Sequence, residues 1–118
     1  MPIAVAVVAV LFLLMGLYAL VVPARVLSIF GVTVSTVDGR SEVRAVYGGF
    51  GVAMSALLFL TARSPAVHDG VLACLGVALL GMAGGRLLGA VVDGRPGVFP
   101  WLFCGVEIAM ALALLSAR

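Results

Sequence analysis

The sequence predicts an all-α fold, an integral membrane four-helix bundle. Of its 118 residues, 64% are hydrophobic and only 10% are charged, and the mean hydropathy is +1.33. Soluble domains average about half apolar and a quarter charged residues, so a chain this apolar and this small cannot hide its surface from water. The sequence also contains four apolar segments, each long enough to cross a bilayer. We therefore expect one transmembrane domain covering residues 1–118.

The predicted spans occupy residues 3–22, 43–62, 71–92 and 101–117. The first span has no charged residue and no basic segment before it, so we interpret it as a retained helix and not a cleaved signal peptide. The short second and third connections contain Pro and Gly residues typical of turns, which makes consecutive helices antiparallel neighbours. Both termini then lie on one side of the membrane, called side X, and the connections 23–42 and 93–100 lie on the other, called side Y.

The connection between the first two spans has predicted structure of its own. Pro23 suits the start of a helix, and the residues after it place their apolar side chains on one face, which predicts a short interfacial helix. Gly31 can end that helix in the left-handed region. The β-branched residues of 32–37 predict an extended segment, and Ser41 is the expected cap of the second span.

Two charged residues lie inside the apolar segments. Arg86 interrupts the third span and Glu107 interrupts the fourth. With a rise of 1.5 Å per residue, they lie about 10 Å and about 9 Å below the side Y surface. A charge inside a bilayer costs a few kcal/mol unless it is paired or used, so we predict an ion pair between the two helices.

We predict that this ion pair belongs to a larger polar cluster on side Y. The predicted buried polar cluster consists of Arg44, Tyr47, Arg86 and Glu107, and its predicted mouth consists of Glu42, Asp93 and Arg95. Arg44 and Tyr47 are one helical turn apart and face the same way. Two alternatives stay open: the ion pair only fixes the register of the helices, and Arg44 only reaches lipid headgroups.

Small residues recur at four-residue spacing in three of the spans, which predicts close helix contacts in lipid. The glycines assigned to helix packing are Gly48, Gly49, Gly81, Gly85, Gly89 and Gly105. The alternative is that a chain rich in glycine and alanine produces such spacings by chance.

No residue pattern indicates catalysis or metal binding. Cys74 and Cys104 fall near opposite membrane faces, beyond the Cα separation of about 7 Å that a disulfide allows. His68 is alone in a short loop, where we expect it to be solvated. The arginines are scattered and form no nucleic-acid patch. We therefore expect no metal, no cofactor, no nucleic-acid partner and no enzymatic activity.

The run Glu42-Val43-Arg44-Ala45-Val46-Tyr47-Gly48-Gly49 resembles the signature of an uncharacterised family of small four-helix bacterial membrane proteins, a domain of unknown function. In that family the signature opens the second helix. An arginine in the third helix, an Asp-Gly-Arg-Pro turn and a glutamate in the fourth helix follow, and here they match Arg86, residues 93–96 and Glu107. The resemblance implies the four-helix fold and a bacterial inner membrane location, and it brings no activity with it.

These features favour an accessory or stabilising subunit of a larger membrane complex, with a lipid transporter as the candidate complex, because the chain has little outside the membrane except short loops. The alternative is a protein that binds an amphiphile or a lipid headgroup through the Arg/Tyr/Glu cluster. A proton or solute path through Glu107 is less favoured, because the side X half offers no polar continuation. The expected partners are the lipid bilayer, other membrane subunits and a bound lipid.

Overall fold

Four helices of the structure are long and apolar enough to cross a membrane, as expected of a multi-pass membrane protein. The computed structural model describes residues 1–118 and contains no β-strand, so the predicted all-α fold class is confirmed. The helices are α1 (Ile3–Val21), the short α2 (Pro23–Val26), α3 (Val37–Leu60), α4 (Pro65–Asp93) and α5 (Val98–Ser116).

The predicted interfacial helix is present between α1 and α3. Pro23 occupies its first turn, where the missing backbone N–H costs nothing, and a 3₁₀ turn, Ser28–Phe30, follows. Gly31 ends this turn with φ of 76°, in the left-handed region that favours glycine. The chain therefore reverses at side Y through the elements that the sequence predicts.

Two helices begin earlier than predicted. α3 begins at Val37 instead of residue 43, and its cap is Thr36, whose Oγ1 accepts from the Gly39 N–H at 2.9 Å; the prediction of Ser41 as the cap is wrong. α4 begins at Pro65 instead of residue 71. In both cases the first turns are polar, so a hydropathy window assigns them to the loops although they are helical.

The four long helices form two closely packed pairs, α1 with α3 and α4 with α5. The pairs meet mainly where α1 contacts α5, whereas α3 and α4 touch at few points although they are consecutive. The extents of the Cα atoms are 41 × 32 × 19 Å, so the cross-section is flattened and not square. As a result, most of the contacts of α4 are with α5.

Most apolar side chains lie on the outside of the protein. Only 23 of 118 residues are buried, and every long helix exposes large hydrophobic residues, which is the distribution that lipid requires. The main buried core consists of Val5, Val8, Ala9, Leu58, Leu72, Leu75, Leu79, Ala111 and Leu114. This core lies in the side X half, so the polar groups of side Y are held by a separate set of contacts.

The glycines that bring helices together are mostly not the predicted ones. A Cβ atom on Gly16 would lie 2.7 Å from Val52 N, and one on Gly51 would lie 2.9 Å from Phe12 O. Among the predicted packing glycines, Gly48 lies against Leu20 of α1. The other five meet no neighbouring helix within 4 Å, so their assignment to packing within the chain is wrong: Gly49, Gly81, Gly85, Gly89 and Gly105.

His68 is buried, so the prediction that it is solvated is wrong. Because α4 begins at Pro65, His68 lies in its first turns and faces the end of α3, with 9% of its surface exposed. Thr61 Oγ1 donates to Leu57 O at 2.7 Å and lies 3.0 Å from His68 Nδ1. Since the single proton of the hydroxyl is already donated to Leu57 O, Thr61 Oγ1 accepts from Nδ1–H, and the buried Nε2 has no partner.

Candidate functional site

The predicted ion pair between α4 and α5 is present. Arg86 Nε donates to Glu107 Oε1 at 2.6 Å. The two side chains differ in burial: 28% of the Arg86 side chain is exposed and only 3% of the Glu107 side chain. Glu107 Oε2 is also buried and has no hydrogen-bond partner. The carboxylate therefore depends on Arg86, while the guanidinium still reaches the surface.

Two aromatic rings flank the Arg86 guanidinium. Its carbon Cζ lies 5.5 Å from the centre of the Phe30 ring and 5.7 Å from the centre of the Phe103 ring. The two rings contact each other edge to face with centres 5.3 Å apart. These are cation–π distances, so Arg86 connects the interfacial segment to α4 and α5 and is held in one orientation.

Sequence reasoning missed both aromatic residues. Phe103 lies one turn before Glu107 on α5, and that i, i+4 spacing is a signal that could have placed it beside the ion pair. Phe30 comes from a distant part of the chain, and no local pattern connects it with α4. Only the tertiary fold, which lays the 3₁₀ turn over α5, brings it to Arg86.

A cavity of about 430 Å³ opens beside Arg86 at the side Y end of α4. We call it the Arg86 cavity, and its lining residues are Arg86, Gly89, Ala90, Asp93, Gly94, Arg95, Pro96 and Pro100. Asp93 and Arg95, two of the three predicted mouth residues, belong to it. Small residues next to Arg86 on the same helix leave this space, since nothing lies within 4 Å of the position that a Cβ of Gly89 would occupy.

The other predicted cluster residues lie elsewhere, so the prediction of one buried cluster is wrong. Arg44 and Tyr47 are exposed, and Tyr47 and Glu42 line a second cavity of about 470 Å³ between α3 and the segment 27–36. The cause is the helix pairing: α3 packs along α1 and barely touches α4. Antiparallel neighbours in sequence were expected to place the side Y ends of α3 and α4 together, and they do not.

Arg44 caps the end of α1. Its Nε donates to the carbonyl oxygen of Leu20 at 3.0 Å, and carbonyls in the last turn of a helix have no partner within that helix. The segment Arg44–Gly49 is a π-helical turn inside α3, in which the signature residues lie. A π turn widens the helix locally, and here Gly48 of the same turn contacts Leu20.

We expect Arg44→Met to lower the free energy of unfolding by about 1 kcal/mol, because it leaves the Leu20 carbonyl without its donor while keeping the aliphatic stem. The measurement is reversible unfolding in mixed detergent micelles. The matched control is Arg25→Met, since Arg25 is exposed on the same side and its side chain makes no hydrogen bond. Equal stability of the two variants would contradict the capping role.

The chain matches a known protein family over nearly its whole length. Residues 1–117 match the family described as a domain of unknown function, DUF4345. The chain belongs to this family. No curated protein and no solved structure matches the chain.

Proposed function

We propose that this protein is an accessory or stabilising subunit of a larger membrane complex. The observation that supports the proposal is a row of glycines on the outer face of α4. Gly81, Gly85 and Gly89 repeat at four-residue spacing, and no atom of a neighbouring helix lies within 4 Å of the Cβ position of any of them. Their helix packs on α5 through the opposite face, where the buried residues include Leu72, Leu79 and Ala83.

Small residues on the outer face of a transmembrane helix are better suited to packing against another helix than to contact with lipid. Side chains of lipid-facing positions need no particular size, whereas glycines at this spacing let two helix backbones approach closely. The same chain uses this device between α1 and α3, where Gly16 and Gly51 lie in contact. We infer that the open face of α4 accepts a transmembrane helix of another protein.

The kind of complex is the finer part of the proposal. A lipid transporter is our first candidate, because the Arg86 cavity lies at the side Y end of α4. A cavity at that end of the helix is in reach of the headgroups of lipids that such a complex would move. The bacterial inner membrane is the proposed location, and it rests on the resemblance to small bacterial membrane proteins. The proposed partners are therefore membrane subunits and lipid, with no catalytic step assigned to this chain.

The test is co-purification of the tagged chain from its native membrane in mild detergent. We expect the double variant Gly81→Leu/Gly85→Leu to remain folded, because both positions are open. The amount of a specific co-purifying partner should fall at least about tenfold, because the leucines hold the two helix backbones apart. The matched control is Ala56→Leu, which adds similar bulk at an exposed position of α3.

Cys74 distinguishes another protein from a second copy of this chain. It is exposed and lies one heptad before Gly81, on the same face of α4. If two copies met through this face, mild oxidation would join them through Cys74, while the buried Cys104 would not react. Efficient Cys74 cross-linking with no other subunit present would contradict the accessory role.

A further inference from the structure

We propose that the Arg86 cavity binds the headgroup of an aminophospholipid, with the phosphate on the guanidinium groups of Arg86 and Arg95 and the ammonium on Asp93. This inference does not rest on the accessory role, because it concerns a different ligand, and of Gly81, Gly85 and Gly89 only Gly89 lines the cavity. Three observations support the proposed headgroup site: the unused donors of Arg86, the depth of the cavity, and the charges that line the cavity.

Arg86 presents hydrogen-bond donors that the protein does not use. A guanidinium has five N–H donors, and the structure gives Arg86 one hydrogen bond, from Nε to Glu107. The two terminal nitrogens keep the other donors, and the side chain is partly exposed in the cavity. Glu107 and the two Phe rings already fix the orientation of the group, so a phosphate would meet a preorganised pair of donors.

The cavity lies at the depth of lipid headgroups. α4 has 29 residues, so it is about 44 Å long, close to the thickness of a bilayer that includes both headgroup layers. Asp93 ends the helix and Arg95 follows it, which places both at the outer edge of the side Y headgroup layer. Arg86 lies about 10 Å further in, near the boundary with the hydrocarbon, where the phosphate and glycerol groups of lipids begin.

The charges of the cavity match a headgroup that carries both signs. The charge of Arg86 is balanced by Glu107, and Arg95 and Asp93 form no ion pair within 4.0 Å. One cation and one anion therefore remain without a partner around the same space. A headgroup with a phosphate alone would bring its charge close to Asp93, whereas a headgroup with an added ammonium places opposite charges at both residues.

The ammonium is inferred to be primary. A carboxylate such as Asp93 accepts hydrogen bonds from an –NH₃⁺ group, which has three donors. A trimethylammonium group has none, and the aromatic rings that could bind it face Arg86 instead. Phosphatidylethanolamine therefore fits the cavity better than phosphatidylcholine or phosphatidylglycerol.

The experiment is native mass spectrometry of the full chain in detergent with dioleoyl phosphatidylethanolamine, phosphatidylglycerol or phosphatidylcholine added at equal concentration. We expect retention of phosphatidylethanolamine to exceed that of the other two by roughly fivefold to tenfold. Arg95→Gln should remove most of this retention. Asp93→Asn should remove the preference over phosphatidylcholine and increase retention of phosphatidylglycerol. Neither residue is paired in the structure, so both variants should stay folded.

The matched control is Arg25→Gln, which removes one exposed positive charge on side Y outside the cavity and should change nothing. Equal retention of the three lipids, or retention unaffected by Arg95→Gln, would overturn the proposal. Stronger retention of phosphatidylglycerol by the natural chain would also overturn it, since that lipid lacks the ammonium. A further arm adds inorganic phosphate. Displacement of the lipid by phosphate at equal concentration would show a site for the free anion and not for a headgroup.

Discussion

Replacing Arg86 with methionine is expected to lower the free energy of unfolding by about 3–5 kcal/mol, more than replacing Glu107 with glutamine. The reason is the unequal burial of the two side chains. Only 3% of the Glu107 side chain is exposed. Its Oε1 has Arg86 as a hydrogen-bond partner, while Oε2 has none. Without Arg86, both oxygens of a buried carboxylate are left without a donor, which is costly in a medium of low dielectric constant.

The opposite substitution is expected to be milder. Glu107→Gln keeps an oxygen that accepts from Arg86 Nε, and the exposed part of the guanidinium can still reach water or headgroups. Glu107→Ala should cost more than Glu107→Gln, because it also leaves a void between α4 and α5. The double variant Arg86→Met/Glu107→Leu removes both charges and should recover much of the stability lost in Arg86→Met.

Unfolding in mixed micelles, followed by far-UV circular dichroism, measures these four variants under one condition. A loss for Glu107→Gln as large as the loss for Arg86→Met would contradict the asymmetry. A double variant less stable than Arg86→Met would show that the pair contributes more than charge compensation.

The sequence predicts the ion pair correctly, but it places Arg44 and Tyr47 wrongly beside that pair. The two outcomes differ for a physical reason. Arg86 and Glu107 lie near a tight turn, so helix rise alone brings them to a similar depth on adjacent helices. Arg44 and Tyr47 lie on a helix whose neighbour is decided by packing. α3 pairs with α1 through glycines that touch backbone, and hydropathy contains no information about which face of a helix finds which partner.

The early starts of α3 and α4 have a related cause. Both first turns contain charged or polar residues, and they extend the helices beyond the apolar segments that hydropathy detects. The burial of His68 follows from the start at Pro65, because the helix carries its side chain towards Thr61. The short interfacial helix was predictable because Pro23 and Gly31 mark its two ends by local chemistry, which needs no tertiary contact.

Substitution of Gly51 by alanine is expected to lower the free energy of unfolding by about 2–3 kcal/mol. The added Cβ would lie 2.9 Å from Phe12 O and 3.2 Å from Gly16 Cα, and these are backbone atoms of α1 that cannot turn aside. The two helices must therefore separate along the crossing. The separation also weakens the contact between Gly48 and Leu20, one turn nearer side Y.

Gly85→Ala is the matched control, since it adds the same methyl group to a helical glycine with nothing within 4 Å. Alanine lowers the backbone entropy of the unfolded chain, so this variant should be neutral or up to about 1 kcal/mol more stable in the isolated protein. The same unfolding measurement in mixed micelles compares the two. Equal stability of Gly51→Ala and Gly85→Ala would mean that α1 and α3 do not meet at these glycines. Destabilisation by Gly85→Ala in the purified chain would mean that the outer face of α4 is already occupied by a second copy.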